Sequence, residues 1–253
     1  MKPEKTSKTI FLEGMTSVSA LLNSRDVNDR PIYKIWIDKE RSEKRASFLR
    51  FLEAKKAEYG YEMIDTDAET IQALSTGGTH GGILAECGER TIPALSPDQI
   101  KPGGFYVYLE GMEDPYNFGG ALRSLYAAGV DGIVLPERNW MNATGTVARA
   151  SAGASERLPL FSADAETTVS TFHSAGYQIL CAGIRDSVSI YESNFDYPIL
   201  LVVGGEKRGI SHTFLENADQ IVRIDYGREF RGSLSSSASA AVLAFELFRQ
   251  NQA

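Results

Sequence analysis

The sequence predicts an α/β protein whose C-terminal part holds a mostly parallel sheet flanked by helices. Short apolar runs alternate there with stretches of helical pattern, which is typical of sheets covered by helices on both faces. The run at residues 199–203 is apolar throughout and closed by glycines, as expected of a strand buried on both faces. Five or six strands are expected, among them those at residues 105–109, 132–135, 178–182, 199–203 and 221–224.

A smaller α/β domain is predicted before this sheet. Residues 32–37 are rich in β-forming side chains, and residues 43–59 carry a helical apolar pattern that ends at Gly60. Prolines and glycines then interrupt regular structure near residue 100. We therefore expect a small domain at residues 1–100 and a larger one at residues 101–253.

The composition is that of an ordinary globular protein, with 43% hydrophobic and 23% charged residues. No apolar run approaches the ~20 residues that span a bilayer, and the N-terminus lacks a signal-peptide pattern, so no membrane association is expected. Cys87 and Cys181 are too few for a disulfide framework, which favours buried thiols in a cytoplasmic protein. The net charge of −7 argues against nonspecific nucleic-acid affinity, although the first 60 residues carry 13 Lys and Arg against 9 Asp and Glu.

Two strand ends near the C-terminus are rich in glycine and serine and are predicted to form two walls of one pocket. The first is Gly204-Gly205-Glu206-Lys207-Arg208-Gly209, where glycines let the backbone approach a ligand closely. The second follows residues 221–224 and runs through Ser233-Leu234-Ser235-Ser236-Ser237, whose serines are natural helix caps. Neither wall matches a dinucleotide fingerprint or a P-loop. A carboxylate at the first wall suits the ribose or amino group of a small ligand, and a simple tight turn is the alternative.

A third segment follows the strand at residues 105–109. Asn117 is predicted to cap the next helix, Gly119-Gly120 permits a close approach, and Arg123 would project a fixed charge toward the pocket or a phosphate. A capped helix with a surface arginine is the plain alternative. The three histidines, at positions 80, 173 and 212, have no metal-ligand spacing, so no metal site is expected.

Together these segments resemble the three motifs of the SpoU (TrmH-type) RNA ribose methyltransferases of the SPOUT superfamily. Asn117, Gly119 and Arg123 match the first motif, and Gly204, Glu206 and Gly209 match the second. The third motif, a strand end followed by S-L-N-x-S and a helix, is matched at Ile224, Ser233, Leu234 and Ser237. Residues 14–22 and 80–83 are similar to the start and end of the family's substrate-binding domain, and residues 149–154 resemble a segment between the first two motifs.

The resemblance implies a C-terminal domain with a trefoil knot that binds S-adenosylmethionine, mainly through backbone groups. It implies that Gly204, Ile224 and Leu234 line the cofactor site, with Gly205, Glu206 and Ser233 beside them. The enzymes of this family are homodimers in which both subunits build the active site. Their reaction is methyl transfer to a ribose 2′-hydroxyl of ribosomal or transfer RNA.

The resemblance also implies roles for the polar residues. Arg123 is the family's catalytic arginine, and because a guanidinium group is a poor base, we expect it to orient the 2′-hydroxyl and stabilise the developing alkoxide. Asn117 would support Arg123 or hold the ribose, and Glu206 completes the catalytic set. Arg123, Arg228 and Arg231 are all expected to contact RNA phosphates. For Arg228 and Arg231 the alternative is that they lie on a loop exposed to solvent and bind nothing.

The chain departs from the family pattern at two positions. Ser235 replaces the third-motif Asn, and Asp225 replaces the Pro after Ile224 and adds a negative charge beside the RNA or cofactor. These departures leave open a catalytically silent RNA-binding protein on the same scaffold. A nucleotide-dependent oxidoreductase on an open sheet is a further alternative, opposed by the missing dinucleotide fingerprint.

Overall fold

The computed structural model describes residues 9–42, 45–136 and 143–252, without the side chain of Ser42. In chain order the elements are β1 (Ile10–Glu13), α1 (Gly14–Leu22), β2 (Ile32–Asp38), α2 (Lys39–Ser42), α3 (Ala46–Tyr59), β3 (Glu62–Thr66), α4 (Ala68–Leu74), β4 (Ile83–Cys87), β5 (Phe105–Glu110), α5 (Pro115–Ala127), β6 (Gly132–Leu135), α6 (Thr144–Ala150), α7 (Ala154–Arg157), β7 (Leu160–Ser162), α8 (Ala165–Ser174), β8 (Gln178–Ala182), β9 (Val188–Ser189), β10 (Ile199–Gly204), α9 (His212–Glu216), β11 (Gln220–Arg223) and α10 (Ser236–Gln250). A 3₁₀ turn lies at Pro97–Gln99.

The chain forms two compact units. The N-terminal unit takes the described residues up to Thr91 and those from 143 to Arg157, and the C-terminal unit takes the others. Residues 143–157 therefore fold with the N-terminal unit, although they follow the boundary expected near residue 100. The division into a domain at residues 1–100 and another at residues 101–253 stays a prediction.

The N-terminal unit is built on a four-stranded sheet of order β1-β4-β2-β3. Only β2 and β3 run parallel, while β4 is antiparallel to both of its neighbours. Its core contains Leu12, Leu22, Ile35 and Leu52, all fully buried, and it includes Ala148 of α6. The expected helix at residues 43–59 is confirmed from Ala46 onward, and Gly60 ends it with a φ of 73°; the two residues before Arg45 lie outside the described part of the chain.

The C-terminal unit is built on a seven-stranded sheet of order β7-β6-β5-β10-β8-β11-β9, in which every pair of neighbours is parallel. The predicted parallel sheet flanked by helices is thus confirmed. The apolar part of β10 has residues that are 0–1% exposed, as expected of a central strand covered on both faces. The trefoil knot remains a prediction of the family resemblance.

Two strands of this sheet, β7 and β9, are not among the five that the sequence named. Ser162 ends β7, and Asp164 caps the next helix by accepting a hydrogen bond from the Thr167 N–H at 2.7 Å. β9 has only two residues, so it carries no apolar periodicity that a sequence could reveal. Both strands lie at the edges of the sheet.

Cys87 and Cys181 are buried thiols, as predicted. Burial raises the pKa of each to about 12, which keeps both protonated and unreactive near neutral pH. Within the described ranges, no helix is long and apolar enough to cross a membrane.

Candidate cofactor and RNA-modification site

A cavity of about 670 Å³ opens in the C-terminal unit at the carboxyl ends of β8, β10 and β11. Parallel α/β sheets place ligand sites at this edge, and the volume is that of a pocket for a drug-sized ligand. Its walls come from the segments that follow the three strands and from the start of α10. The cavity therefore lies between the two glycine- and serine-rich segments that the sequence predicted as its walls.

Glycines bring the backbone to the surface of this cavity. A Cβ on Gly204 would lie 2.4 Å from the carbonyl carbon of Gly209, and one on Gly205 would lie 2.1 Å from the carbonyl oxygen of Gly111. Gly209 closes the turn at a φ of +66° and donates its N–H to the Gly205 carbonyl oxygen at 3.0 Å. Any larger side chain would displace backbone here, so the wall presents peptide groups to a ligand.

The structure brings the predicted cofactor residues together. All six line the same cavity: Gly204, Gly205, Glu206, Ile224, Ser233 and Leu234. The Ser236 hydroxyl donates to the Gly204 carbonyl oxygen at 2.8 Å and so ties the second wall to the first. Their individual contacts with a ligand stay predictions.

A chain of hydrogen bonds joins all three sequence motifs. The Asn117 side-chain amide donates to Glu206 Oε1 at 2.8 Å, and its Oδ1 accepts from the Ser237 hydroxyl at 3.3 Å. Ser237 and Ser235 hydroxyl oxygens lie 3.0 Å apart, and Ser235 caps α10 by accepting from the Ala238 N–H. Asn117 thus holds the Glu206 carboxylate, and Ser237, which is itself bonded to Ser235, holds Asn117.

Asn117 does not cap its helix, so that prediction was wrong. Asp114 is the N-cap and accepts the Asn117 N–H at 2.8 Å, with Pro115 at the first helical position. Because the cap is provided by Asp114, the Asn117 side chain is free to reach Glu206 and Ser237 instead. Its expected role of supporting Arg123 or holding the ribose stays a prediction.

The three predicted RNA-binding arginines are exposed. Within the described residues, the guanidinium groups of Arg123 and Arg228 make no hydrogen bond or ion pair. Arg231 lies 3.8 Å from the Glu229 carboxylate, but the two side chains are 95% and 87% exposed, so this pair is weak. All three charges are available to an anionic partner.

Asp225, which replaces the family proline, is exposed but paired with two neighbouring side chains. Its carboxylate accepts a hydrogen bond from the Ser189 hydroxyl and one from Arg223 Nε at 2.8 Å. These two bonds lower the pKa of Asp225 below its usual range, so it is ionised at neutral pH. Arg223 compensates its charge, which removes much of the repulsion that an unpaired carboxylate would exert on RNA.

Sequence reasoning missed a third wall of the cavity. The segment after β8 contributes residues up to Asp186, among them Ile184, which is 70% exposed, and Arg185. Tyr226 also lines the cavity. Only the strand order, which places β8 between β10 and β11, shows that this segment opens onto the same edge. Tyr226 could have been predicted from the sequence, because it lies two residues after Ile224 of the third motif.

Comparison with known proteins agrees with this geometry. Residues 104–245 match the family model of the SpoU rRNA methylase family, and residues 11–93 match that of the RNA 2′-O ribose methyltransferase substrate-binding domain. The chain belongs to the SpoU rRNA methylase family. It is therefore an RNA 2′-O-methyltransferase that uses S-adenosylmethionine.

Relatives of this SpoU methylase align along almost its whole length. It is 28% identical over 250 residues to a protein of Ralstonia nicotianae named 23S rRNA (guanosine-2′-O-)-methyltransferase RlmB, covering 96% of this chain and 97% of that protein. A protein of the same name from Shewanella oneidensis is 26% identical over 252 residues, with 97% and 99% covered.

Solved structures share the fold. An AdoMet-bound rRNA methyltransferase from Sinorhizobium meliloti superposes with a TM-score of 0.78 at 21% identity, covering 97% of this chain and 88% of that one. The SpoU methyltransferase AviRb from Streptomyces viridochromogenes, in complex with AdoMet, gives 0.76 at 19% identity, covering 96% and 90%. The glycine-walled cavity fits such a cofactor, because its volume and its exposed peptide groups suit a ligand held mainly by backbone.

Proposed function

We propose that this SpoU methylase modifies the ribose 2′-hydroxyl of a guanosine in large-subunit ribosomal RNA. The observation that carries the proposal is the Asn117–Glu206–Ser237 network at the edge of the glycine-walled cavity. Support for the RNA comes from the full-length relatives named as 23S rRNA guanosine methyltransferases. An RNA substrate of this class also favours a cytoplasmic location.

In the proposed mechanism the protein binds and aligns, and the cofactor supplies an electrophilic methyl group. Peptide groups at Gly204 and Gly205, with the apolar side chains of Ile224 and Leu234, hold the cofactor in the cavity. Glu206 stands where that cavity meets the hydrogen-bond network, since its Oε1 is already engaged by Asn117. Its second carboxylate oxygen is left to accept a hydrogen bond from the ribose hydroxyl, which fixes the direction of the attacking oxygen. The same carboxylate would take up the hydroxyl proton as the methyl group is transferred.

Arg123 provides the positive charge of the reaction. Its guanidinium carries a fixed positive charge and has no internal partner among the described residues. It is suited to bind the phosphate next to the target ribose and to stabilise the negative charge that develops on the 2′-oxygen. Arg228 and Arg231 add phosphate contacts farther along the RNA.

We propose that the enzyme is a homodimer that uses α5 and α10. These helices pack on each other within the C-terminal unit and carry large exposed aromatic side chains: Tyr126 is 42%, Phe245 45% and Phe248 36% exposed. Neighbouring exposed aromatics of this kind are typical of protein interfaces. A second copy packed here would place another molecule beside Arg123, which lies on α5.

The decisive experiment incubates the protein with tritiated S-adenosylmethionine and separated 23S, 16S and transfer RNA. We expect label in 23S rRNA, recovered after alkaline hydrolysis as a resistant dinucleotide that begins with guanosine. Asn117→Ala should lower kcat about 10²- to 10³-fold while S-adenosylhomocysteine affinity changes little, because the amide orients Glu206 rather than the cofactor. Asn217→Ala, an exposed asparagine beside α9, is the matched control.

Other outcomes would contradict the proposal in distinct ways. Label in alkali-labile products would exclude ribose methylation, and label in transfer RNA alone would exclude the ribosomal substrate. Cofactor binding without transfer to any RNA would identify a silent RNA-binding protein and point to Ser235 and Asp225 as the cause.

A further inference from the structure

The loop between β11 and α10 carries two aromatic side chains that lie side by side, and one of them, Tyr226, lines the cofactor cavity. The Tyr226 and Phe230 ring centroids are 5.8 Å apart, with ring planes inclined by 55°. Tyr226 lines the cavity, and its phenol oxygen accepts a hydrogen bond from the Leu234 N–H at 3.3 Å. Tyr226 is thus fixed to the second wall and offers Phe230 a support.

Phe230 faces outward from this support. It is 58% exposed, and its ring lies over Gly232, where a Cβ would come within 2.6 Å of the ring. The ring therefore contacts Tyr226 on one side and Gly232 on another, while much of its remaining surface meets solvent. A large apolar ring held in place and left exposed marks a contact surface rather than a core position.

The charges around Phe230 favour an anionic partner. Arg228 and Arg231 flank it in the sequence with exposed guanidinium groups, and the weak ion pair of Arg231 with Glu229 is easily exchanged for a phosphate. The remaining acidic group of the loop, Asp225, is occupied by Arg223 and Ser189. Aromatic rings interleaved with arginines are the arrangement by which proteins hold unpaired nucleotides.

We propose that Phe230 is a stacking platform for one unpaired base of the RNA substrate, placed at the rim of the cofactor cavity by Tyr226, with Arg228 and Arg231 on the adjoining phosphates. The inference rests on the proposed RNA-modifying function and adds to it a residue that no motif of the sequence identifies. A base stacked there keeps the strand unpaired beside the cavity, where a 2′-hydroxyl is accessible.

The test uses the full-length protein, single-stranded 12-mers of oligo(U) and oligo(A), and S-adenosylhomocysteine as probes. Phe230→Ala should weaken oligonucleotide binding about 5- to 150-fold, the range expected for one stacked base. It should raise the KM for 23S rRNA while the KM for S-adenosylmethionine and kcat at saturating RNA stay within twofold. Phe230→Trp should retain binding, and oligonucleotides should quench its tryptophan fluorescence by more than they quench that of the wild type, which comes from Trp36 and Trp140.

Phe230→Leu is the matched control, because leucine keeps an apolar contact with Tyr226 but has no ring to stack. Stacking predicts that Leu behaves as Ala, whereas full activity of the Leu variant would overturn the proposal in favour of simple packing. Quenching of the Trp signal by S-adenosylhomocysteine alone would assign the ring to the cofactor. A fall in the oligomeric state of Phe230→Ala would assign the ring to contact with a second copy of the protein.

If the wild-type enzyme methylates rRNA and Phe230→Ala binds rRNA as well as the wild type does, the stacking platform is refuted and the proposed function stands. If the wild type methylates no RNA, the proposed function itself fails.

Discussion

Replacing Gly205 by alanine is the most direct test of the glycine-walled cavity. The added Cβ would lie 2.1 Å from the Gly111 carbonyl oxygen, 2.5 Å from its carbon and 2.9 Å from the Glu110 carbonyl oxygen. Unbonded heavy atoms settle near about 3.5 Å, so the backbone of one segment must retreat by more than about 1 Å. Neither side of the contact is a flexible side-chain end, so the shift falls on the wall itself.

A displacement of that size has a predictable cost. Misplacing a reacting group by about 1 Å lowers a rate by about 10²-fold, and an overpacked site loses about 1–3 kcal/mol of stability. We therefore expect Gly205→Ala to raise the Kd for S-adenosylhomocysteine at least about tenfold and to lower kcat about 100-fold. The melting temperature should fall by several degrees in a protein that remains folded.

Calorimetric titration with S-adenosylhomocysteine and single-turnover methylation measure the two effects. Gly227→Ala is the matched control, because its Cβ would meet no atom within 4 Å and should leave binding and rate unchanged. Wild-type affinity and rate in Gly205→Ala would refute the close backbone contact between Gly205 and Gly111 and, with it, the backbone-lined cofactor wall.

Three further predictions concern stability and reactivity. Burial raises the pKa of Glu156, but the Arg30 guanidinium, whose Nε donates to Glu156 Oε2 at 3.0 Å, holds that pKa below its usual value of 4.5. The ionised carboxylate therefore stabilises the fold above about pH 4.5, and this stabilisation is lost as the pH falls through the pKa of the folded state. Glu156→Gln, which leaves Arg30 buried without a counter-charge, should cost about 3–5 kcal/mol in urea unfolding and flatten this acid dependence. Ser235→Ala should cost about 1 kcal/mol by removing the α10 cap, and Ser235→Asn should restore it and retain methylation. Cys87 and Cys181 should not react with a thiol reagent at pH 8 in the folded protein and should both react in denaturant, because burial raises their pKa to about 12.

The main features of the site were readable because they are local in sequence. The apolar run of β10 and the glycines after it come from one stretch, as do the serines that begin α10. A fully apolar run ended by glycine has few physical solutions other than a buried strand that meets a ligand at its end. The six predicted cofactor residues accordingly line one cavity.

The features that the sequence did not predict correctly are also local, but their sequence patterns are short or ambiguous. The helix after β5 begins two residues before Asn117, because Asp114 and Pro115 together make a better start than Asn117 does. β7 and β9 have three and two residues, too few for a period of two to show. Such short edge strands exist because a neighbouring strand offers them hydrogen bonds, and that neighbour is distant in sequence.

The return of residues 143–157 to the N-terminal unit depends on contacts that no local pattern contains. A Cβ on Gly145 would lie 2.7 Å from the Phe11 carbonyl oxygen, and one on Gly153 would lie 2.4 Å from Ala20 Cβ. The buried Glu156 carboxylate binds Asn28 Nδ2 at 2.6 Å as well as Arg30. More than a hundred residues separate these partners along the chain.

By itself, then, the sequence determined the parallel sheet, the glycine-rich strand end and six of the residues that line the glycine-walled cavity, because periodicity, glycine and capping act over a few neighbouring residues. Tertiary structure alone decided that Asn117 would hold Glu206, that Asp225 would bind the Ser189 hydroxyl, and that the segment after β8 would form a third wall. Those outcomes depend on strand order and on segments distant along the chain, whose side chains meet only when the sheet has assembled.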